Sequence, residues 1–485
     1  MNIGTRTSRI PHPAPAGARQ DGLARVGCPP RMAGRSRCGS VLIIVLWVSV
    51  GLVSIALYFA NSMTYELRAS DNRFNGLVSE QAIEGAARYV SGILQTYGTN
   101  GVVPNNAQFA CAGVPIGDAR FWLIGRDPSG NTASTDPYFG LIDEGAKLNL
   151  NYVTTNTLSY LPNMTAEFAL YIVDWSSTNE SDVDSMDYSM LGYYPKSAPF
   201  ETVDELRLVY GANMDLLYGD DLNFNGVLDG NEKSVAGAGQ INYGLLEYMT
   251  AWTREPNFFF YQGAVSNKID VNLPSNYLYP TGQVSQLLQA ANISTSFITT
   301  LSNSVPYTNL LAFAVAAYQG GMNSADFNKI YNYVSTYDTN TSYIYGRVNI
   351  NTAGTDVLTA LFEGLPQING DENTALSAAQ TLISYRKQNP ANLDTIMWVV
   401  DALGTTSPII TALEGGDFIT TRSYQFTADI AAVGAFGRGY RRVKFVFDTT
   451  TGTPIIVYRQ DLSGLGWALG DTVRQDLLAN NKTPQ

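Results

Sequence analysis

Histidine and cysteine are almost missing from this chain, and both sit mainly at its front. The single histidine is His12, and of the three cysteines Cys28 and Cys38 precede residue 40, leaving only Cys111 beyond it. If everything before residue 40 is removed, imidazole-based triads, His-built zinc sites and an internal disulfide are excluded. A carboxylate pair could still do acid–base chemistry, but no spacing of Asp and Glu points to one. A structural or binding protein is therefore expected rather than an enzyme. Charge is scarce as well, at 15% of residues against roughly 25% in average soluble domains. It is also uneven. The first 39 residues hold seven arginines and one acid, Asp21, leaving 23 of the 30 basic and 41 of the 42 acidic side chains beyond them, a balance of -18 in a chain of net charge -12. Such a body repels nucleic acid and anionic lipid. Its abundant Gly, Ser, Thr, Asn and Tyr have an extracytoplasmic flavour. At 485 residues the chain has room for two or more domains with substantial cores.

What is plentiful is apolar length. Val41 to Ala60 (VLIIVLWVSVGLVSIALYFA) carries no charge and would make about 30 Å of helix, enough to cross a bilayer. The arginines before it place the N-terminus on the cytoplasmic side. A secretion signal has a shorter core and a small-x-small cleavage site. Here the run continues without proline into a segment where Phe74, Leu77, Val78, Ala82, Ile83, Ala86, Ala87, Val90, Ile93, Leu94 and Tyr97 recur every three or four residues, the helical period. One helix from about Ser40 to Tyr97 is the simplest reading; an anchor followed by a separate helix has the same periodicity.

The basic leader ending in Gly39, then Ser40 and Val41 to Leu46 (VLIIVL), resembles a type IV prepilin processing site. The resemblance implies cutting between Gly39 and Ser40 by a membrane aspartyl prepilin peptidase, with methylation of the new N-terminus. Most of that family has Glu at the fifth mature position, whereas this chain has Ile44. A carboxylate in a bilayer is costly unless it meets a charge, and the family's partner is the N-terminal amine of the adjacent subunit. Lacking that Glu is similar to the K-type minor pseudopilin of type II secretion (general secretion pathway protein K), which the family places at the pseudopilus tip. The 39-residue leader is long for the class, whereas a start at Met32 (MAGRSRCG) gives a more usual length.

After the stem the pattern turns to strands. ARFWLIGRD (Ala119 to Asp127), YFGLID (Tyr138 to Asp143), YQFTADIAAVGAF (Tyr424 to Phe436), YRRVKFVFD (Tyr440 to Asp448) and PIIVYRQDL (Pro454 to Leu462) are extended in character. Turn residues separate them at Pro128 to Gly130, Gly437 to Gly439 and Thr449 to Gly452. Strands at both ends with mostly helical signals between them predict an α+β, type IV pilin-like fold: a long N-terminal helix on an antiparallel sheet, with a large, mostly α-helical inserted domain. The expected division is a removed leader 1–39, a transmembrane part 40–61, a first pilin-like part 62–145, the insertion 146–417, the returning strands 418–470 and a C-terminal tail 471–485.

Inside the insertion a phrase recurs. Lys147 to Asn151 (KLNLN), Lys268 to Asn272 (KIDVN) and Arg347 to Asn351 (RVNIN) share the form basic, apolar, polar, apolar, Asn. Alternation puts the apolar pair on one face of an extended segment, and the last Asn is placed to cap a following helix. Two copies extend further: Asn151, Leu158 and Leu161 recur 200 residues later as Asn351, Leu358 and Leu361. Each is followed by an apolar helix, FALYIVDW or AAQTLISYR, and a Pro-led helix ending at Gly, PFETVDELRLVYG or PANLDTIMWVVDALG. They read as duplicated small modules of the SAM or helix-hairpin-helix kind. VNINTAGTDVLTALFEGLP is similar to helix-hairpin-helix DNA-binding modules, whose hairpin N–H groups meet phosphate. Here Gln367 to Asn373 presents carboxylates instead, so protein contact is expected and nucleic acid is not.

The sharpest chemical signal is DLNFNGVLDGNE, Asp221 to Glu232. Asp221, Asn223 and Asn225 fall at positions one, three and five of a twelve-residue calcium loop, Gly226 at the bend, Asp229 at nine and Glu232 at twelve. The Val227 carbonyl would add a further oxygen, so Ca2+ is the expected cofactor, at an isolated structural site. An Asx-rich turn without an ion is the bland alternative. Asp174, Asp182, Asp184 and Asp187 form a second acidic cluster near Trp175, for which a solvated loop is the ordinary explanation. The resemblance implies a single-pass inner-membrane protein with its bulk in the periplasm. Its partners would be I- and J-type minor pseudopilins packed stem to stem, and its role would be to initiate or cap a filament that exports folded proteins across the outer membrane. The alternatives are an anchored extracytoplasmic adhesin or binding protein with an uncut N-terminus and, behind it, a helix-hairpin-helix DNA-binding protein.

Overall fold

The computed structural model describes residues 38–98, 100–128, 134–178, 188, 190–230, 232, 234, 241–261 and 264–480. The leader up to residue 37 and Asp182, Asp184 and Asp187 of the second acidic cluster lie outside the described residues. The chain divides into two compact units, Met1–Arg68 and Ala69–Gln485.

Helix α1 spans Cys38–Ile93 and ends in a π turn, Leu94–Gly98. Gly39 and Ser40 fall in its first turn; their side chains lie outside the described residues. Its first part is long and apolar enough to cross a membrane, and its large side chains from Val41 to Phe59 are exposed all round, as on a helix that meets lipid.

In the second unit one face of α1 is buried: Asn75, Ser79, Ala82, Ile83, Ala86, Ala87, Val90 and Leu94. Phe74 and Leu77, expected on this face, are instead 64% and 61% exposed. Stepping back from Ala82 by threes and fours lands on Ser79 and Asn75, so Phe74 and Leu77 fall out of phase with the seam. Close approach adds a second reason. A Cβ on Gly439, whose φ is +70°, would stand 2.3 Å from the Asn75 carbonyl carbon, so this part of the seam admits only short side chains.

The opposing surface is an antiparallel sheet. Its first strands are β1 (Val114–Ile116), β2 (Ala119–Ile124) and β3 (Ile142–Asp143). The insertion then contributes β4 (Leu148–Asn149), β5 (Met249–Thr250), β6 (Arg254–Pro256), β7 (Phe258–Tyr261), β8 (Ala264–Asn267), β9 (Ile269–Asp270), β10 (Val334–Ser335), β11 (Tyr343–Tyr345), β12 (Val348–Asn349) and β13 (Ile419–Thr420). The chain returns to the sheet with β14 (Gln425–Val433), β15 (Arg441–Asp448) and β16 (Ile455–Asp461). The order is β1-β2-β14-β15-β16, with β3 also paired to β14. Strand β14 has no exposed residue because both faces of the sheet are covered. Phe121, Leu123, Phe426, Ile430, Val443 and Phe445 pack on α1, while Trp122, Ile124, Ala431 and Val433 pack with Leu469 on the other face. Val473 and Leu477 reach this second cluster from a helix, Gly470–Asn480, that no periodic signal marks. The molecule is α+β, with a long N-terminal helix on an antiparallel sheet and a large helical insert.

The insert holds three modules rather than two. Each opens on one copy of the recurrent phrase and closes by parallel pairing with a later two-residue strand: β4 with β5, β9 with β10, β12 with β13. Helices fill the interval in every case, and one core runs through all three. The final Asn does not cap the next helix. Asn151 donates to Phe200 O and accepts from Phe200 N, at 3.0 and 2.7 Å, and Asn272 treats Tyr307 identically at the same distances. Asn351 donates to Leu393 O and accepts from Trp398 Nε1, both at 2.9 Å. Helix capping passes to other residues, Thr154 among them. The side chain turns inward because a half-buried amide can satisfy donor and acceptor there at once.

Candidate calcium loop and its seat on the sheet

Asp221 to Glu232 follows a short helix, Met214–Tyr218, and folds as a compact loop. Phe224 and Gly226 take left-handed φ values of +55° and +84°, and glycine is the residue that does so without strain. Asp221 accepts from Asn225 N at 3.0 Å and from Gly226 N at 2.7 Å. Glu232 closes the far side, accepting from Leu222 N and Asp229 N at 2.9 Å each. The amides of Asn223 and Asn225 both donate to Asp229 Oδ2, at 2.6 and 3.0 Å. Five of the six residues singled out in the sequence are therefore linked by hydrogen bonds into one ring, and Val227 N joins it through Asn225 Oδ1 at 2.9 Å. Asn231, between them, lies outside the described residues.

Burial raises the carboxyls of Asp221, Asp229 and Glu232 above their ordinary range; Arg126 opposes the shift at Asp221 and the two asparagine amides oppose it at Asp229. Two buried carboxylates, Asp221 and Glu232, and the partly buried Asp229, with hydrogen-bond support but no ion pair at Asp229 or Glu232 among the described residues, are what a divalent ion would stabilise. Among the described residues no three His, Cys, Asp or Glu side chains gather into a metal-holding group. The loop's donors are instead mixed carboxylate, carboxamide and carbonyl oxygens, the hard set calcium takes. Both carboxamides converge on one carboxylate oxygen, Asp229 Oδ2, so side chains from positions three, five and nine of the loop already face a single point. The residues fit the ion.

Two arginines that the sequence reading passed over seat the loop. Arg442 on β15 is fully buried. It binds Asp429 on β14 through Nε at 2.8 Å and Nη2 at 2.6 Å, and donates to Asn223 O and, at 3.0 Å, to Phe224 O. Arg126, just past β2, pairs with Glu247 at 2.6 Å and reaches Phe224 O at 3.3 Å. Burial would lower the Arg442 guanidinium, but Asp429 more than compensates and holds it charged. A faint signal was present: in YRRVKFVFD the polar Arg442 and Lys444 alternate with Val443, Phe445 and Phe447, which pack on α1, so the basic residues face the insert.

No protein-family profile matches the chain, and no curated protein matches it. Among solved structures it is similar to a chain of the crystal structure of the GspK-GspI-GspJ complex from the enterotoxigenic Escherichia coli type 2 secretion system. Identity is 11% and the TM-score 0.38, over 82% of this chain and 99% of that one. The overlay is loose, and the fold described above stands on its own contacts.

Proposed function

We propose that this protein is a K-type minor pseudopilin that initiates or caps a type II secretion pseudopilus and performs no catalysis of its own. The observation that carries the reading is an exposed apolar stem that lacks a carboxylate at Ile44 and runs on into a helix packed against an antiparallel sheet. A carboxylate within the bilayer needs a cation above it; a stem without one has no use for a further subunit's amine. The bulk of three inserted modules supports an end position, because such a side domain would collide with neighbours repeated along a shaft. The basic leader supports an orientation with the stem in the inner membrane and the bulk in the periplasm. Prepilin peptidase would process the chain between Gly39 and Ser40, and I- and J-type minor pseudopilins would pack beside the stem. Intact mass of protein recovered from membranes tests the first step: a chain beginning at Ser40 is expected, and one that works while beginning at Met1 or Met32 overturns it. Tagged protein should locate at one filament end, and labelling along a whole filament would refute the capping role.

Within this reading, Asp221, Asn223, Asn225, Asp229, Glu232 and the carbonyl of Val227 would hold a calcium ion. Its contribution is charge: it would neutralise carboxylates that burial disfavours and so stiffen the loop on which Arg442 and Arg126 rest. Calcium at about one hundred times its dissociation constant stabilises a fold by ~2.7 kcal/mol. The wild type should therefore melt higher in calcium than in chelator, and an Asp221→Ala, Glu232→Ala double variant should melt identically in both. Equal wild-type melting in the two buffers removes the ion from the account.

A further inference from the structure

Between the insert-side face of β15 and β16 and the first module lies a cavity of about 260 Å³, lined by Val203, Arg207, Trp252, Lys444, Gln460 and Leu465 among others. Most charges on its wall are already matched. Arg126 pairs with Glu247 at 2.6 Å, Lys147 with Glu144 at 3.0 Å and Arg207 with Asp204 at 3.0 Å. Asp461, exposed near the mouth, accepts from Ser463 N at 2.8 Å. Lys444 differs. Among the described residues no carboxylate lies within ion-pair distance of it and no hydrogen bond engages its ammonium, which stands 5.6 Å from the centroid of the Tyr458 ring. Ring contact leaves ammonium N–H groups free to donate. Burial pulls the Lys444 pKa down, with Asp204 acting against it, so an incoming anion would restore a charge that the site disfavours.

Gln460 supplies the complementary gap. It sits opposite Lys444 in the β15–β16 register, so both side chains share one face, and its Oε1 is buried without a hydrogen-bond partner among the described residues. The wall thus offers one unmatched donor beside one unmatched acceptor, with the Trp252, Val203 and Leu465 side chains around them. A bare anion would satisfy only Lys444.

We propose that this cavity binds a carboxylate carried on a peptide: an acidic side chain of a partner protein, its oxygens on Lys444 Nζ and a neighbouring main-chain N–H on Gln460 Oε1. The site goes beyond the filament reading and does not depend on it, since it requires only the sheet and the first module. The test is calorimetric titration of the full chain in nonionic detergent at low salt with acetyl-Gly-Glu-Gly-Glu-Gly-amide. The glutamine analogue serves as the neutral control and sodium acetate as the free carboxylate. The acidic peptide should bind at least about tenfold more tightly than its glutamine analogue, and Lys444→Met should lose at least that factor. Gly464→Trp provides a second variant. A side chain there begins in open space, with nothing within 4 Å of its Cβ, and its ring would crowd the cavity that Gly464 lines. It should keep the wild-type melting temperature and lose peptide binding, which decides the question even if Lys444→Met fails to fold. No binding of the acidic peptide at millimolar concentration, equal binding of the glutamine analogue, or undiminished binding by folded Gly464→Trp overturns the proposal. Displacement of the peptide by equimolar acetate would also overturn it, assigning the site to small free carboxylates.

Discussion

Replacing Arg442 by Met should cost more than any other single change on the sheet. The guanidinium is buried and makes two hydrogen bonds to Asp429 and two to the loop carbonyls of Asn223 and Phe224. Removing it leaves Asp429 as a buried carboxylate with no ion-pair partner among the described residues, a loss of about 3–5 kcal/mol in comparable pairs. Phe224 O keeps Arg126 at 3.3 Å, but Asn223 O loses its donor, which adds about 1–3 kcal/mol if water does not replace it. Substituting Leu for Asp429 in the same chain removes the stranded charge, and buried pairs exchanged for apolar groups are often neutral. The double variant should then retain only the carbonyl penalty and be more stable than Arg442→Met alone. Urea unfolding of the full chain in detergent, followed by tryptophan fluorescence, is a suitable assay because the Trp467 ring lies tilted against Tyr440, next to β15, with centroids 5.0 Å apart, and its carbonyl accepts from Asn223. A coupling energy of at least about 2 kcal/mol between the two positions is expected. Loss of under about 1 kcal/mol in Arg442→Met, or strict additivity in the double variant, would refute the account of how the loop is seated.

Other consequences can be measured on the same preparation. Asn272→Ala and Asn351→Ala should each destabilise by about 1–3 kcal/mol, and because they clamp separate modules their effects should add within about 0.5 kcal/mol; a neutral Asn272→Ala would deny the middle module its equivalence. Lys268 is half-buried, and its desolvation lowers its pKa to about 8 despite Glu255 nearby. The unfolded chain therefore binds the extra proton between pH 8 and about 10.5, and this lysine's contribution makes stability rise with pH across that window by up to ~1.4 kcal/mol per unit. Lys268→Met should remove that slope, and equal slopes for the two proteins would exclude it. Gly439→Ala places a Cβ at φ +70° and 2.3 Å from the Asn75 carbonyl carbon; it should cost about 2–3 kcal/mol, whereas Gly464→Ala, in open space, should cost nearly nothing.

The returning strands were legible because their apolar residues are local and dense: β14 to β16 fall inside the three expected stretches. The small hairpin strand β1 was not, since Val114 to Gly117 is a VPIG phrase whose Pro and Gly read as a turn. The phase of α1 was misjudged at Phe74 and Leu77 because periodicity identifies a helix but not which stripe a neighbour will choose. The third module is not legible as a module for another reason. Its phrase carries Asp270 where the others have Asn149 and Asn349, and Pro274 opens a 3-10 turn at once, so the leucine spacing is lost. What the three copies share is a donation from the final Asn to a distant main-chain oxygen, at Phe200, Tyr307 and Leu393, that no comparison of side-chain spacing reveals. The internal hydrogen-bond pattern of the Asp221 to Glu232 loop is legible for the opposite reason, its residues being packed into twelve consecutive positions. Its seat was not, because Arg442 meets Phe224 across 218 residues.

The two faces of the sheet hold their partners by different means. Toward α1 the contacts are Ala82, Ala86, Ala87, Ile83 and Val90 against Phe426, Ile430, Val443 and Phe445, and a small shift there loses packing by degrees. Toward the insert the face is polar and specific. Thr250 Oγ1 of the insert donates to Glu144, beside β3, at 2.6 Å, Gln425 Oε1 accepts from Arg254 N at 3.0 Å, Arg254 pairs with Asp448 at 2.8 Å, and Arg442 grips the loop. Sliding the insert by one residue would strand all of these groups at once, each at a cost of about 1–3 kcal/mol, while apolar contacts could re-form in the new register. Glu144 shows the arrangement in miniature. Burial alone would push its pKa up, yet Lys147 together with Thr250 and Thr427 brings it below the usual range. Its charge therefore contributes stability above pH about 4.5, and that contribution is lost as pH falls through the lower folded value. Register between sheet and insert is thus set by pairs that are costly to break, and the apolar core inside each module is left to supply the bulk of the stability.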